Sequence, residues 1–186
     1  GVLTQCLKSD EFHALCNGES LFFSFPVGLN AKKLQLIKIE KSENTSDCRY
    51  VGAAMAESND SSHLLILDVS QSKIMEILHG FLLKCYKFSK HKSKKEKAIK
   101  DIVVLNSQPR IFNYEFRSIQ DLIHGIYFCR DLVNEPANIL NTVEFAKRLK
   151  FLEKIGLKVE ILEEKNLLKL EMRALLAVGK GSDCPT

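Results

Sequence analysis

At 186 residues the chain holds one ordinary domain, or one domain and the opening of a second. Apolar residues make up 45% and charged residues 27%, the balance of a globular protein with a real core, and no apolar run approaches the ~20 residues that span a bilayer. The formal net charge of +4 sits mostly in one stretch, 84–100, and elsewhere the chain is close to neutral.

The opening Gly1-Val2-Leu3-Thr4 lacks the charged-then-apolar layout of a signal peptide. Six cysteines lie far apart with no C-x-x-C pair, and a core of this size needs no disulfide scaffold. Cys85 and Cys129 fall on apolar stripes, where cysteine acts as a small hydrophobe. Reduced thiols and a cytoplasmic location are expected.

Residues 21–27 and 34–40 read as strands, the second alternating Leu34, Leu36 and Lys38 against Gln35, Ile37 and Ile39. Residues 48–57 suit a short helix. The compact apolar run at 63–69 reads as a buried strand. Ser70 is placed to cap a helix over 70–86, in which Ile74, Ile77, Leu78, Phe81, Leu82 and Cys85 recur at helical period. A lysine-rich stretch follows, then a strand at 101–106.

Phe116, Ile119, Leu122, Ile123, Ile126, Tyr127 and Val133 mark a second long helix, ending before Pro136 because proline disfavours helix in the residue ahead of it. Asn141 with Glu144 three residues on predicts a capping box. Ala146, Leu149, Leu152 and Ile155 form the expected buried face behind it, and Gly156 the stop. Residues 157–162 alternate as a strand, 164–170 form a short helix, and 174–178 a further strand. Strands alternating with helices predict an α/β fold with a largely parallel sheet, on which the helices 70–86 and 116–132 both pack. The boundary is expected near 131–140, giving a domain at 1–133 and a segment at 134–186 too short to close a core of its own.

The run Arg130-Asp131-Leu132-Val133-Asn134-Glu135-Pro136-Ala137-Asn138-Ile139-Leu140 resembles the R-D-L-x-N-x-P-x-N segment that opens the catalytic domain of leucine aminopeptidases, also called cytosol aminopeptidases. The register continues through Glu144-Phe145-Ala146 and Leu170-Glu171-Met172. It includes Ala174-Leu175-Leu176-Ala177-Val178-Gly179-Lys180-Gly181-Ser182, similar to that family's A-L-L-A-V-G-Q-G-S. Upstream, residues 80–88 resemble its G-A-x-L-x-x-Y-x-F segment. Asn141-Thr142 stands where the family often has Thr-Pro, and residues 39–43 replace a Gly-rich turn that usually follows an early strand.

The resemblance implies an N-terminal macro-like domain with a central mixed sheet flanked by helices, followed by an incomplete α/β catalytic domain. It implies an enzyme that removes N-terminal residues such as leucine from peptides. Two divalent metal ions, manganese or zinc, activate a bridging water in such an enzyme. It also implies a homo-oligomer, a hexamer of two stacked trimers, with no membrane association. All the family's metal ligands are expected beyond Thr186, so neither a catalytic residue nor a metal ligand is expected in this chain, and the chain alone is expected to serve folding and assembly. Lys180 begins a run like the family's V-G-K-G-x-x-F-D metal motif, but Ser182-Asp183-Cys184 follows instead of Phe-Asp, so it takes no ligand role.

The five histidines show no metal-ligand spacing. Arg130, Asp131, Asn134 and Asn138 could build a polar site; side-chain bonds that tie the loop to its own backbone explain them better. Lys87, Lys90, Lys92, Lys94, Lys95 and Lys97, with Tyr86, Phe88 and His91, are the candidate contacts for nucleic-acid phosphates. The plainer reading is a hydrated basic loop, since neighbouring lysines repel and no arginine or base-reading motif accompanies them.

Overall fold

The computed structural model describes residues 2–28, 30, 32–39, 44–58, 63–66, 70–93, 101–104 and 109–182. The chain forms two compact units, Gly1–Tyr127 and Phe128–Thr186, and their division falls inside a long helix.

Two short helices open the first unit, α1 (Val2–Leu7) and α2 (Asp10–Ala14). Ser9 caps α2, its hydroxyl oxygen accepting from Phe12 N at 3.2 Å, and Asp10 and Glu11 place negative charge in the first turn. Strand β1 (Ser20–Ser24) then pairs antiparallel with β2 (Lys33–Ile37), Ser20 opposite Ile37 and Ser24 opposite Lys33. The expected strand 21–27 stops early because Phe25 turns left-handed at φ 50° and Pro26 carries no donor. Beyond β2, Lys38 N still donates to Glu19 O, and its ammonium reaches the carbonyls of His13 at 2.7 Å and Leu15 at 2.6 Å. One lysine thus ties the end of α2 to the hairpin.

Helix α3 (Thr45–Ser58) begins earlier than its apolar residues suggest, because Asn44 supplies its carbonyl to Asp47 and Cys48 and its side-chain oxygen to Ser46 N. Strand β3 (His63–Ile66), helix α4 (Gln71–Cys85) and strand β4 (Asp101–Val104) follow as a βαβ unit, His63 opposite Asp101 and Ile66 opposite Val104 in parallel. Residues 67–69, 105 and 106 of the two expected strands lie outside the described residues. Among those described, the strands form one antiparallel and one parallel pair. The α/β character stands. The expected largely parallel sheet is corrected to two small sheets, since the short connection after β1 permits only a hairpin.

The expected stripe on α4 is buried at Ile74, Ile77, Leu78 and Phe81, whereas Leu82 and Cys85 are half-buried. Ser70 occupies the cap position without a side-chain cap bond. The main partner of α4 is α3, which contributes Cys48, Val51 and Met55 to the core. Two glycines set that contact. A Cβ on Gly52 would lie 1.9 Å from Ile77 O, and one on Gly80 would lie 2.0 Å from Arg49 O. The helices therefore touch backbone to backbone, a closeness no other residue allows. Ion pairs flank the crossing, Arg49 to Glu76 at 2.5 Å and Lys84 to Glu57 at 2.6 Å.

Helix α5 (Pro109–Asn134) starts well before residue 116, with proline at its first position, where a missing N–H costs nothing. Phe112 enters the core and stacks on Phe116, ring centres 5.9 Å apart. Ile119 packs against the same cluster, and Ile123 is buried. Tyr127 donates its hydroxyl proton to Leu82 O and lies against Tyr86. Two members of the expected stripe do not belong to it: Leu122 is 51% exposed and Val133 84%. The prediction that α4 and α5 pack on one sheet is likewise corrected. The core gathers α3, α4 and Phe112 first, with Ile37 and Val104 of the strands at its margin.

The second unit is helical: α6 (Thr142–Lys150), a 3₁₀ turn (Phe151–Ile155), α7 (Glu164–Lys169) and α8 (Arg173–Gly179). Gly156 closes the 3₁₀ turn in the left-handed region at φ 92°, as expected. Ala146, Leu149 and Leu152 are half-buried, but Ile155 is 74% exposed, because the 3₁₀ winding carries it off the α-helical stripe. Two expected strands are absent. Residues 157–162 have no ladder partner among the described residues, and a strand exists only by pairing. Residues 174–178 are helical instead: a short apolar run of alanine and leucine has no period of its own, and both are strong helix formers.

Replacing Gly52 or Gly80 by alanine is expected to lower stability by more than ~2 kcal/mol, since the added methyl meets backbone that cannot yield. Gly125→Ala in α5, where nothing lies within 4 Å of the new Cβ, should stabilise by about 0.5–1 kcal/mol. Urea denaturation of the three variants checks the contrast. The crossing also carries a pH dependence. His79 is 8% exposed, and burial first, then the Arg49 charge, lower its pKa, with Glu76 opposing. The unfolded chain therefore binds this proton more readily than the fold does. Stability should fall as pH drops through the unfolded histidine value of about 6.5. In His79→Gln that part of the slope should vanish in denaturation midpoints measured between pH 7.5 and 5.5.

Candidate functional site

Three of the six candidate lysines lie among the described residues. Lys87, Lys90 and Lys92 are exposed in the turn that follows α4, while Lys94, Lys95 and Lys97 fall outside the described residues. Within the turn Lys92 N donates to Ser89 O, Lys90 Nζ stands 6.0 Å from the Phe88 ring centre, and His91 meets that ring edge-on at 5.6 Å. Lys84 is engaged elsewhere, by Glu57. The turn thus brings three exposed ammonium groups, a phenyl ring and an imidazole together at the surface. Charges so exposed contribute little to stability, so converting Lys87, Lys90 and Lys92 together to serine should leave the melting temperature nearly unchanged.

The more ordered polar cluster is in the segment that follows α5. Asn134 Nδ2 donates to Arg130 O at 2.8 Å, so this motif asparagine ties the loop to its own backbone. Pro136 O accepts from both Ile139 N and Leu140 N at 2.9 Å. Asn141 Oδ1 accepts from Glu144 N at 2.9 Å, the cap expected from the sequence. The other half of the capping box is different. Glu144 turns its carboxylate to Arg148 Nε at 2.9 Å, because a guanidinium one turn along outcompetes a backbone N–H as partner.

Arg148 also donates through Nη1 to Glu135 at 3.0 Å, and the Glu135 side chain is only 2% exposed. The hydrogen bonds that Glu144 and then Glu135 accept from it push the Arg148 pKa further up, so the guanidinium stays charged at every relevant pH. A carboxylate this buried needs such a partner. Sequence reasoning did not single out Glu135. Its one signal was an acidic residue inside a loop otherwise built of Asn, Pro and Ala.

Chemically this cluster is closed: its carboxylates are committed to a fixed cation. The described residues contain no group of three or more His, Cys, Asp or Glu side chains able to hold a metal ion. The donors among the described residues therefore do not fit the two-metal centre that the family resemblance implies. Lys180, the one residue resembling the start of a metal motif, is exposed at the end of α8. Cys6, Cys16, Cys48, Cys85 and Cys129 are in no disulfide, and burial pushes the Cys85 thiol up against a smaller opposing pull from Lys87, which makes it a poor nucleophile. Removing the Glu135 carboxylate, in Glu135→Ala, should lower the melting temperature more than Lys87, Lys90 and Lys92 do together. Arg148→Lys should not preserve it, since one ammonium cannot hold two carboxylates in a planar fork. Thermal melts followed by circular dichroism test both.

Comparison with known proteins agrees with the order of these elements. A sequence model of the cytosol aminopeptidase family, catalytic domain, matches residues 127–186. Probable cytosol aminopeptidases of Cereibacter sphaeroides and Dinoroseobacter shibae are 37% and 36% identical over 186 residues, which is all of this chain and 38% of each relative. The chain therefore spans about two fifths of the length of the curated relatives it matches. In fold it is similar to the bottromycin maturation enzyme BotP, with a TM-score of 0.75 at 19% identity, over 100% of this chain and 41% of that one. Identity runs through both units, and the catalytic-domain match begins inside α5, where the two units divide: the chain belongs to the cytosol aminopeptidase family.

Proposed function

We propose that this chain is the N-terminal portion of a leucyl aminopeptidase: an N-terminal domain, 1–133, and the opening of the catalytic domain, from 134. The single observation that carries the reading is the 37% identity to a probable cytosol aminopeptidase along the whole chain. The complete enzyme would remove N-terminal residues from peptides, leucine preferred, as a cytoplasmic hexamer. Its chemistry would be supplied by two divalent ions, manganese or zinc; one solved BotP structure is a complex with manganese. No described helix is long and apolar enough to cross a membrane.

In this reading the residues present contribute scaffold. The α3–α4 pair anchors the first domain, and the Glu135–Arg148–Glu144 cluster fixes the loop that leads into the second. The role of the 186 residues is folding and assembly of the oligomer. Bond cleavage belongs to residues that lie further along in the relatives.

The chain alone should hydrolyse no leucine-p-nitroanilide with added manganese, zinc, cobalt or magnesium, and calorimetry should find no stoichiometric metal site. Fused at Thr186 to the part of the Cereibacter relative that lies beyond its match, it should gain metal-dependent turnover. Activity of the unfused chain that survives repurification would overturn the assignment, as would an inactive but folded and oligomeric fusion.

A further inference from the structure

Helix α5 carries two faces with apolar residues at helical period. One, through Phe112, Phe116, Ile119 and Ile123, is turned inward. The other is shifted from it by one position, about 100° round the helix. It runs through Ile111, Tyr114, Ser118, Leu122 and Gly125, at spacings of 3, 4, 4 and 3. Ile111 is 51% exposed, Tyr114 78% and Leu122 51%, and Ser118 and Gly125 are exposed beside them. A Cβ on Gly125 would meet nothing within 4 Å. Large apolar side chains that keep helical period on an exposed face mark a contact surface.

The order of side-chain sizes along this face says what fits it. Tyr114 and Leu122 are large, Ser118 and Gly125 small. Turned end for end about a point midway between Ser118 and Leu122, the order inverts: Tyr114 comes opposite Gly125, and Leu122 opposite Ser118. A second copy of the same helix, lying antiparallel, therefore offers a gap to each bulky side chain. The missing side chain at Gly125 lets a tyrosine ring lie against backbone. Charge follows the same symmetry. Arg117 and Asp121, both exposed, lie along one flank of the face, and the reversal sets Arg117 of each copy against Asp121 of the other. On the opposite flank Glu115 is taken by Gln71 of α4, whose Nε2 donates to it at 2.7 Å. A parallel arrangement would instead set like on like, Tyr114 on Tyr114 and Arg117 on Arg117.

We infer that the exposed face of α5 between Ile111 and Gly125 is the contact through which two copies of this chain pair, α5 against α5, antiparallel about a two-fold axis near residue 120. The contact extends over about four helical turns, at the small end of specific interfaces, so a dissociation constant of roughly micromolar size is expected. It gives a face to the assembly role proposed above but stands on α5 alone, so its failure leaves the aminopeptidase reading untouched.

Sedimentation equilibrium of the full 186-residue chain should fit a reversible monomer–dimer system, tending at high concentration to twice the 21.1 kDa of one chain. Leu122→Lys, which puts a charge into the face, and Gly125→Leu, which fills the gap for Tyr114, should each weaken dimerisation at least about thirtyfold. Both positions are exposed, so circular dichroism should show the fold intact. Gly125→Leu should also raise the melting temperature measured at low concentration, leucine being the better helix former. Val178→Lys, on the exposed apolar surface of α8, should leave the dimer unchanged. Mixing tests the geometry. Arg117→Asp makes the flank acidic and Asp121→Arg makes it basic, so each variant alone should dimerise less well than the parent chain. An equimolar mixture of the two should associate at least about tenfold more tightly than either alone. An ion pair between residues 117 and 121 of one helix cannot give that result. A chain that stays monomeric, a dimer that persists in Leu122→Lys and Gly125→Leu, a dimer lost in Val178→Lys, or a mixture no tighter than its components would each overturn the inference. Hydrolysis by the fusion to the Cereibacter relative tests the aminopeptidase reading separately.

Discussion

The first unit depends on how closely two helices can approach. Gly52 in α3 and Gly80 in α4 each stand where a single methyl group would enter the other helix's backbone. Removing side chains at those two points lets the flanking ones interdigitate: Val51, Ile77, Leu78 and Phe81 reach almost complete burial within a core drawn from rather few residues. At such close range dispersion contacts multiply. The cost is tolerance. A crossing fixed by backbone contact has no soft atoms to adjust, and the Arg49 and Lys84 ion pairs at its rim, being partly exposed, only orient it.

The second unit is organised by a different force. Its best-ordered feature is electrostatic, a carboxylate from the loop and another from the first turn of α6 sharing one guanidinium. Such a cluster gives direction more than energy, since removing three charges from water offsets much of their attraction. It holds the loop 135–141 in one geometry while the apolar side chains nearby remain largely uncovered. Specification of backbone direction and burial of apolar surface are therefore separated in this unit, whereas in the first they come from the same contact.

What the sequence disclosed follows the same line. Ile74, Ile77, Leu78 and Phe81 announce α4 because helical period and burial coincide there. Asn141 and Gly156 announce the ends of their elements because cap chemistry is local. Where the outcome depended on a neighbour, the reading failed. Residues 157–162 have strand periodicity and no strand beside them, and 174–178 took the helix that alanine and leucine prefer. The early end of β1 depended on the left-handed Phe25, which no pattern of apolar residues foretells. Glycine spacing gave no hint that α3 would be the chief partner of α4, since Gly52 and Gly80 are 28 positions apart in the chain. The Glu135–Arg148 pair was equally hidden, because its members lie on either side of a loop whose path the sequence does not print.

One small contact has an optical meaning. The chain has no tryptophan and four tyrosines, and two of these, Tyr50 and Tyr114, are well exposed. The other two, Tyr86 and Tyr127, lie ring against ring with centres 5.1 Å apart, and the Tyr127 hydroxyl is held by Leu82 O at the far end of α4. Exposed rings rotate freely and contribute little asymmetric absorption, whereas a fixed pair in a chiral setting contributes much. The near-ultraviolet tyrosine band of this protein is therefore a local gauge of whether α5 sits on the end of α4, readable without any label.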